Sequence, residues 1–99
     1  MAKLSENEIR ARLRDRPGWD LTSEGIRKSV KCKDFKTAIA LVNAVADLAE
    51  AANHHPDILI FGWNKVTFTL MTHSEKAVTD RDLAMAGQID GAIQKFAAS

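Results

Sequence analysis

The sequence predicts an α+β two-layer sandwich, in which helices cover one face of a four-stranded antiparallel sheet. Segments with helical periodicity and segments with strand patterning follow one another in the order α-β-β-α-β-β-α. A short glycine-containing turn separates the two strands of each pair, which indicates two hairpins. With 99 residues, 45% of them apolar, the chain has room for one core. We therefore expect residues 1–99 to form a single domain.

The N-terminal third is predicted to contain a short helix and a hairpin. Ser5 and Glu8 have the spacing of a capping box, so the first helix begins at Ser5. It ends before Pro17-Gly18, because proline disfavours helix in the residue that precedes it. Two strand candidates follow, Trp19–Thr22 and Ile26–Lys33, with a turn between them.

The second helix has the clearest pattern in the chain. Asp34 is a suitable N-cap, and the helix is expected to end near Ala52. Apolar residues recur with helical spacing along one face, which is the predicted core-facing side. These residues are Phe35, Ile39, Val42, Ala46 and Ala49.

A second hairpin is predicted from Ile58–Phe61 and Lys65–Thr72, with Gly62-Trp63 at the turn. Lys65–Thr72 alternates, with Val66, Phe68 and Leu70 on one face and Thr67, Thr69 and Met71 on the other. If the turn holds two residues, Phe61 pairs with Asn64.

The last helix is predicted to begin after Thr79, with Asp82 at the third helical position, where a carboxylate completes a cap. Its apolar side contains Leu83, Ala86, Ile89, Ile93 and Phe96. Gly87 and Gly91 lower its helix propensity, which indicates close packing against another backbone.

Composition excludes several classes of function. The formal charge of +1 gives no strong field toward nucleic acid or an anionic membrane. No apolar run reaches the ~20 residues of a transmembrane helix, and the N-terminus lacks the apolar region of a secretory signal. Cys32 is the only cysteine, which is typical of a free thiol in a reducing compartment. We expect a cytoplasmic protein.

Three histidines are the candidate catalytic groups. Antiparallel pairing of the second hairpin returns His73 to the level of Ala52-Asn53, beside His54 and His55. Imidazole exchanges protons near neutral pH, and two imidazoles in one cleft can serve as acid and base. Inert surface histidines are the simpler alternative. A zinc site is disfavoured, because adjacent strand residues point to opposite faces and the single cysteine is distant.

Four segments resemble the pterin-4a-carbinolamine dehydratases, a family also known as dimerisation cofactors of a hepatocyte nuclear factor. They are Glu50–Asp57 with its His-His-Pro sequence, Trp63–Val66, Thr72-His73 and Thr79–Ala84. The resemblance covers nearly the whole chain. One difference is an apparent extra residue between Pro56 and Asn64.

The resemblance implies dehydration of a 4a-hydroxytetrahydropterin to quinonoid dihydropterin, without a metal or an organic cofactor. His54, His55 and His73 match the family's active-site histidines, although which is acid and which is base stays open. The residues that match positions close to the pterin are Trp19, Glu50, Asn53, Pro56 and Asp82.

The resemblance also implies partners. Family members are dimers or tetramers, and the small core here favours self-association. The substrate arises from aromatic amino acid hydroxylases, which suggests a functional link to such an enzyme. The alternative function is a non-catalytic scaffold that binds or dimerises a partner protein, with the helix Asp34–Ala52 as its docking surface.

Overall fold

The computed structural model describes residues 3–96 and confirms the predicted α+β fold. Its elements are α1 (Glu6–Leu13), β1 (Asp20–Thr22), β2 (Gly25–Lys31), α2 (Phe35–Ala52), β3 (Asp57–Phe61), β4 (Lys65–Leu70) and α3 (Asp80–Phe96). The strands form one antiparallel sheet in the order β1-β2-β4-β3. The two hairpins therefore lie side by side, with β2 and β4 at the centre. None of the described helices is long and apolar enough to cross a membrane.

Side-chain caps fix where the first two helices begin, as predicted. Ser5 Oγ accepts from the backbone N–H of Glu8 at 3.1 Å, while the Ser5 N–H donates to Glu8 Oε1 at 2.9 Å. At α2, Asp34 Oδ1 accepts from the Thr37 N–H at 2.7 Å. These bonds satisfy N–H groups that have no partner within the helix.

The helices cover one face of the sheet, and the core lies between the two layers. Val66, Phe68 and Leu70 of β4 are completely buried, together with Ile26 of β2. The opposite face of the sheet is open and more polar; there the Ser29 and Thr67 hydroxyls are 2.7 Å apart. The predicted alternation of β4 is therefore confirmed.

The prediction of which face of α2 meets the core was largely wrong. The side chains buried against the sheet are Ala38, Leu41, Val45 and Ala49, one position away from most of the predicted set. Phe35 is 52% exposed, and Ala46 is exposed as well. Helix α2 is apolar on more than one side, so its sequence pattern did not show which side meets the sheet.

The β3–β4 turn contains three residues instead of two. Phe61 pairs with Lys65, not with Asn64 as predicted. Asn64 is buried and bound to Cys32 at the end of β2: its carbonyl accepts from the Cys32 N–H at 2.7 Å, and its Nδ2 donates to the Cys32 carbonyl at 3.0 Å. The Asn64 N–H donates to the Gly62 carbonyl at 2.7 Å inside the turn, so it is not available to Phe61.

Strand β4 ends at Leu70, two residues before the predicted end at Thr72. Thr72 pairs only with Ala77, in an isolated bridge that closes a turn over residues 73–76. His73 therefore lies in a turn and not on a strand.

The glycines of α3 do not mark close backbone packing, contrary to the prediction. A Cβ atom on Gly87 would lie 2.7 Å from the Arg16 guanidinium, which is a side chain. A Cβ atom on Gly91 would meet no atom within 4 Å. The space beside Gly87 accommodates Arg16, and no contact explains Gly91.

Replacing Leu41 by Ala tests which face of α2 meets the core. Leu41 is completely buried, so Leu41→Ala should lower the free energy of unfolding by about 2–5 kcal/mol. Phe35→Ala on the exposed side should change it by no more than about 0.5 kcal/mol. Urea denaturation of both variants measures the difference. A larger loss for Phe35→Ala would contradict the structure.

Asp34 should make stability depend on acid pH. Hydrogen bonds from the Thr37 side chain and backbone hold the pKa of this carboxyl below its usual 3.8. Because this pKa is lower in the folded protein, the stabilisation that the ionised Asp34 cap gives is fully present above pH 3.8. It is lost as the pH falls through the pKa of the folded state. Asparagine caps a helix without titrating. The stability of wild type relative to Asp34→Asn should therefore be greater at pH 7 than in strong acid, and denaturation at both pH values measures it.

Candidate active site

The segments that carry the histidines meet at one end of the sheet. His54-His55-Pro56 connects α2 to β3, Thr72 follows β4, and Asp82 lies in the first turn of α3. Extending the β3–β4 register beyond the strands places His54 opposite Thr72. Four elements therefore converge on this point, although its residues are far apart in the sequence.

Asp82 is the centre of the cluster, and its side chain is completely buried. Its Oδ1 is 2.6 Å from His54 Nε2. Its Oδ2 accepts from the Thr72 hydroxyl at 2.8 Å and from the backbone N–H of Thr79 at 2.9 Å. The last bond confirms the predicted capping role of Asp82 at the start of α3.

Two threonine hydroxyls complete this buried network. Thr72 Oγ1 and Thr79 Oγ1 are 2.7 Å apart, and Thr79 Oγ1 also accepts from the Arg81 N–H at 3.3 Å. Within residues 3–96, every buried side-chain nitrogen and oxygen has a hydrogen-bond partner. A fully satisfied polar network inside a protein holds its members in one arrangement.

His54 and His55 are adjacent in sequence but lie in different environments. The His54 ring is buried against Asp82, and its backbone N–H donates to the Ala49 carbonyl at 3.1 Å. The His55 ring is about half exposed and lies with Nε2 2.5 Å from Glu50 Oε2, on the surface. Each imidazole therefore has its own carboxylate, one buried and one in water.

His73 is exposed at the same rim. It directly follows Thr72, and its carbonyl accepts from the Lys76 N–H at 3.2 Å within the turn. His55 and His73 are thus each one residue along the chain from a member of the buried cluster. The structure brings the three histidines to one end of the sheet.

Arg81 belongs to this region, although the sequence prediction missed it. Its Nη2 donates at 2.7 Å to the carbonyl of Asn53, the left-handed residue that caps the C-terminus of α2. A cavity of about 220 Å³ lies beside it, lined by Ala52, His54, Arg81, Ala84, Met85 and Gln88. Arg81 stands within the Thr79–Ala84 segment, but only the folded chain shows that it contacts the end of α2.

Trp19 is not beside the histidines in this chain. Its ring is buried and its Nε1 donates to Asp90 Oδ1 at 2.9 Å. Asp90 lies eight residues beyond Asp82 on α3, or about 12 Å along the helix. Contact of Trp19 with a ligand therefore stays a prediction.

The other predicted substrate-binding residues lie at or near the cluster. Glu50 binds His55, and Asn53 is the C-cap of α2. Pro56 is half-buried between His55 and β3. The observed contacts of Asp82 are those of a group that orients His54 and caps α3; its direct contact with substrate stays a prediction.

The cluster has the groups needed for proton transfer to and from a bound molecule. One imidazole is held rigidly by a buried carboxylate, and two more lie in reach of solvent. Imidazoles in different environments can hold different protonation states at one pH. Across residues 3–96, no three His, Cys, Asp or Glu side chains are grouped so that they could hold a metal ion.

Asp82→Ala should strongly destabilise the fold. It would leave His54, the Thr72 hydroxyl and the Thr79 N–H without their acceptor, and breaking a buried pair of this kind costs about 3–5 kcal/mol. Asp80→Ala is the matched control, because the side chain of Asp80 forms an exposed ion pair with Arg12, and this variant should lose no more than about 1 kcal/mol. Urea denaturation compares the two. Equal losses would show that the Asp82 network does not stabilise the fold.

Comparison with known proteins agrees with this geometry. The family model described as pterin 4 alpha carbinolamine dehydratase matches residues 2–92. A protein of Mycolicibacterium vanbaalenii, provisionally named a pterin-4-alpha-carbinolamine dehydratase, is 47% identical over 91 residues, which are 92% of this chain and 97% of that protein.

Two solved structures share the fold. A transcriptional coactivator/pterin dehydratase from Brucella melitensis superposes with a TM-score of 0.86 and 38% identity, covering 92% of this chain and 98% of the other. A pterin dehydratase-like RuBisCO assembly factor of the α-carboxysome gives 0.60 at 23% identity, covering 75% and 84%, and is similar in fold. The family match, the relatives and the histidine cluster agree: the chain belongs to the pterin-4a-carbinolamine dehydratase family.

Proposed function

We propose that the chain catalyses loss of water from a 4a-hydroxytetrahydropterin, giving quinonoid dihydropterin, with His54, His55 and His73 as the proton-transfer groups. The observation that carries this proposal is the buried pair of His54 and Asp82 at the rim where His55 and His73 are exposed. Membership in the dehydratase family supports the same reaction. A chain that served only as a scaffold would not need three imidazoles at one site.

The reaction needs two proton transfers, which suit this site. The C4a–O bond breaks as the departing hydroxyl takes up a proton and leaves as water. A second proton is removed from ring nitrogen N5, whose electron pair then forms the C=N bond. One histidine can act as acid and another as base because His54 and His55 have different surroundings. Neither transfer requires a redox change.

The reaction is proposed to take place in the cytoplasm and to support recycling of the tetrahydropterin that an aromatic amino acid hydroxylase has used; a separate two-electron reduction of the quinonoid product completes the cycle. We further propose a homodimer or homotetramer. Large apolar side chains are exposed on β3 and its turn, Leu59, Phe61 and Trp63, and Phe35 is exposed on α2. Burial of such side chains favours association.

The second candidate function is that of a scaffold that binds a partner protein. The exposed apolar side of α2 favours it, because a helix face of this kind fits helix docking. The relative from Brucella melitensis is described as both a transcriptional coactivator and a pterin dehydratase. A dehydratase and a docking helix use different parts of this fold, so the two functions are compatible.

Histidine substitutions test the enzyme proposal. The decay of 4a-hydroxytetrahydropterin absorbance is followed with wild type, His54→Ala, His55→Ala, His73→Ala and buffer alone. Wild type should accelerate the decay, and His54→Ala should lower kcat by about 100-fold or more, the usual contribution of a proton-transfer group.

The control is Asn43→Ala, an exposed residue in the middle of α2, which should match wild type. Circular dichroism confirms that each variant is folded. A folded wild-type protein that leaves the spontaneous rate unchanged would exclude the enzyme and favour the scaffold.

A further inference from the structure

We infer that Thr72 is a positioning residue: through Asp82 its hydroxyl keeps the proton of the neutral His54 ring on Nε2, so that Nδ1 is the atom that exchanges a proton with the substrate. The role in catalysis rests on the proposed dehydratase function. The hydrogen-bond assignment itself does not, because it follows from the donors and acceptors of the buried network.

The direction of each bond is fixed by counting protons. An ionised carboxylate can only accept, and a threonine hydroxyl has one proton to give. Thr72 donates to Asp82 Oδ2 at 2.8 Å, so toward Thr79 it must be the acceptor of the bond at 2.7 Å. Thr79 in turn accepts from the Arg81 N–H. The chain of donors therefore runs from Thr79 through Thr72 to Asp82.

Both oxygens of Asp82 are placed as hydrogen-bond acceptors. The Thr72 hydroxyl and the Thr79 N–H both donate to Oδ2, and the N-terminus of α3 is favourable for a negative charge. Oδ1 is left as the acceptor for His54. Because Nε2 is 2.6 Å from an oxygen that has no proton to give, Nε2 must carry the hydrogen.

The second ring nitrogen is left for a ligand. His54 Nδ1 has no hydrogen-bond partner among residues 3–96. Every buried side-chain nitrogen in that range does have a partner, so Nδ1 is not a buried atom. Nδ1 must therefore reach open space, and His54 is one of the residues that line the cavity next to Arg81. In a neutral ring protonated on Nε2, Nδ1 holds the lone pair that accepts a proton.

Thr72 also connects two of the proposed catalytic histidines. Its side chain is bound to the carboxylate that holds His54, and its backbone exchanges hydrogen bonds with Ala77 across the turn that begins with His73. One residue thus sets the ring orientation of His54 and the start of the segment that presents His73. Removal of its hydroxyl should impair proton transfer more than substrate binding.

The test compares Thr72→Val, which removes only the hydroxyl, with Thr72→Ser, which keeps it. Loss of one hydrogen bond to a charged group should lower kcat at least about tenfold, with KM within about twofold, in Thr72→Val. Thr72→Ser should restore most of kcat. The matched control is Thr67→Val, which removes a hydroxyl bound to Ser29 from the open face of β4 and should leave kcat unchanged.

Nitrogen-15 NMR of the histidine rings gives a readout that does not depend on activity, since protonated and bare ring nitrogens differ in chemical shift. At a pH where the ring is neutral, wild type and Thr72→Ser should show His54 protonated on Nε2. Thr72→Val should show a smaller fraction of this tautomer, because Asp82 has lost a donor that fixes its orientation.

Two results would overturn the inference: a wild-type His54 ring protonated on Nδ1, or a Thr72→Ser variant that is as impaired as Thr72→Val. The wild-type spectrum decides the first point even if Thr72→Val does not fold. If wild type shows the expected tautomer but no dehydratase activity, the proposed function fails and the tautomer assignment stands; the spectra of Thr72→Val and Thr72→Ser then decide whether Thr72 positions His54.

Discussion

The buried carboxylate of Asp82 is the interaction on which the rest of the site depends. It caps α3 with one oxygen and holds His54 with the other, so the start of a helix and the orientation of an imidazole are fixed by the same group. The Thr72 hydroxyl adds the segment that follows β4 to this contact. A charge placed inside a protein is stable only when it is fully hydrogen-bonded. Folding of the four converging elements therefore also assembles the site.

This arrangement separates a rigid part of the site from an adaptable part. His54, Asp82 and the two threonines are buried and fully hydrogen-bonded, whereas His55 and Glu50 meet at the surface. A rigid group is suited to exchange a proton in one geometry, because little reorganisation is needed at the moment of reaction. An exposed group can exchange protons with water between turnovers. The proposed dehydration needs one proton delivered to the hydroxyl and one removed from N5, and the site holds imidazoles of both kinds.

The surfaces away from the site have a different character. The outer side of α2 and the edge strand β3 expose Phe35, Leu59 and Phe61. A chain of this length buries only about 60–65% of its unfolded surface, so its own core is small. Further burial in an assembly would add to its stability. The site and the apolar surfaces use different residues, which is why catalysis and partner binding can exist on one fold.

The sequence by itself determined the fold class, the order of the elements, the caps at Ser5, Asp34 and Thr79, and the alternation of β4, because these features depend on neighbours within a few residues. It also identified the three histidines and, through the family's motifs, the dehydratase family. Only the tertiary structure decided which side of α2 is buried, since that helix is apolar on several sides. Likewise, only the tertiary structure shows that Asn64 at the three-residue turn contacts Cys32, and the roles of Thr72, Thr79 and Arg81 depend on contacts between distant segments. Local pattern carries no information about such contacts, because the partner of each group is chosen by packing.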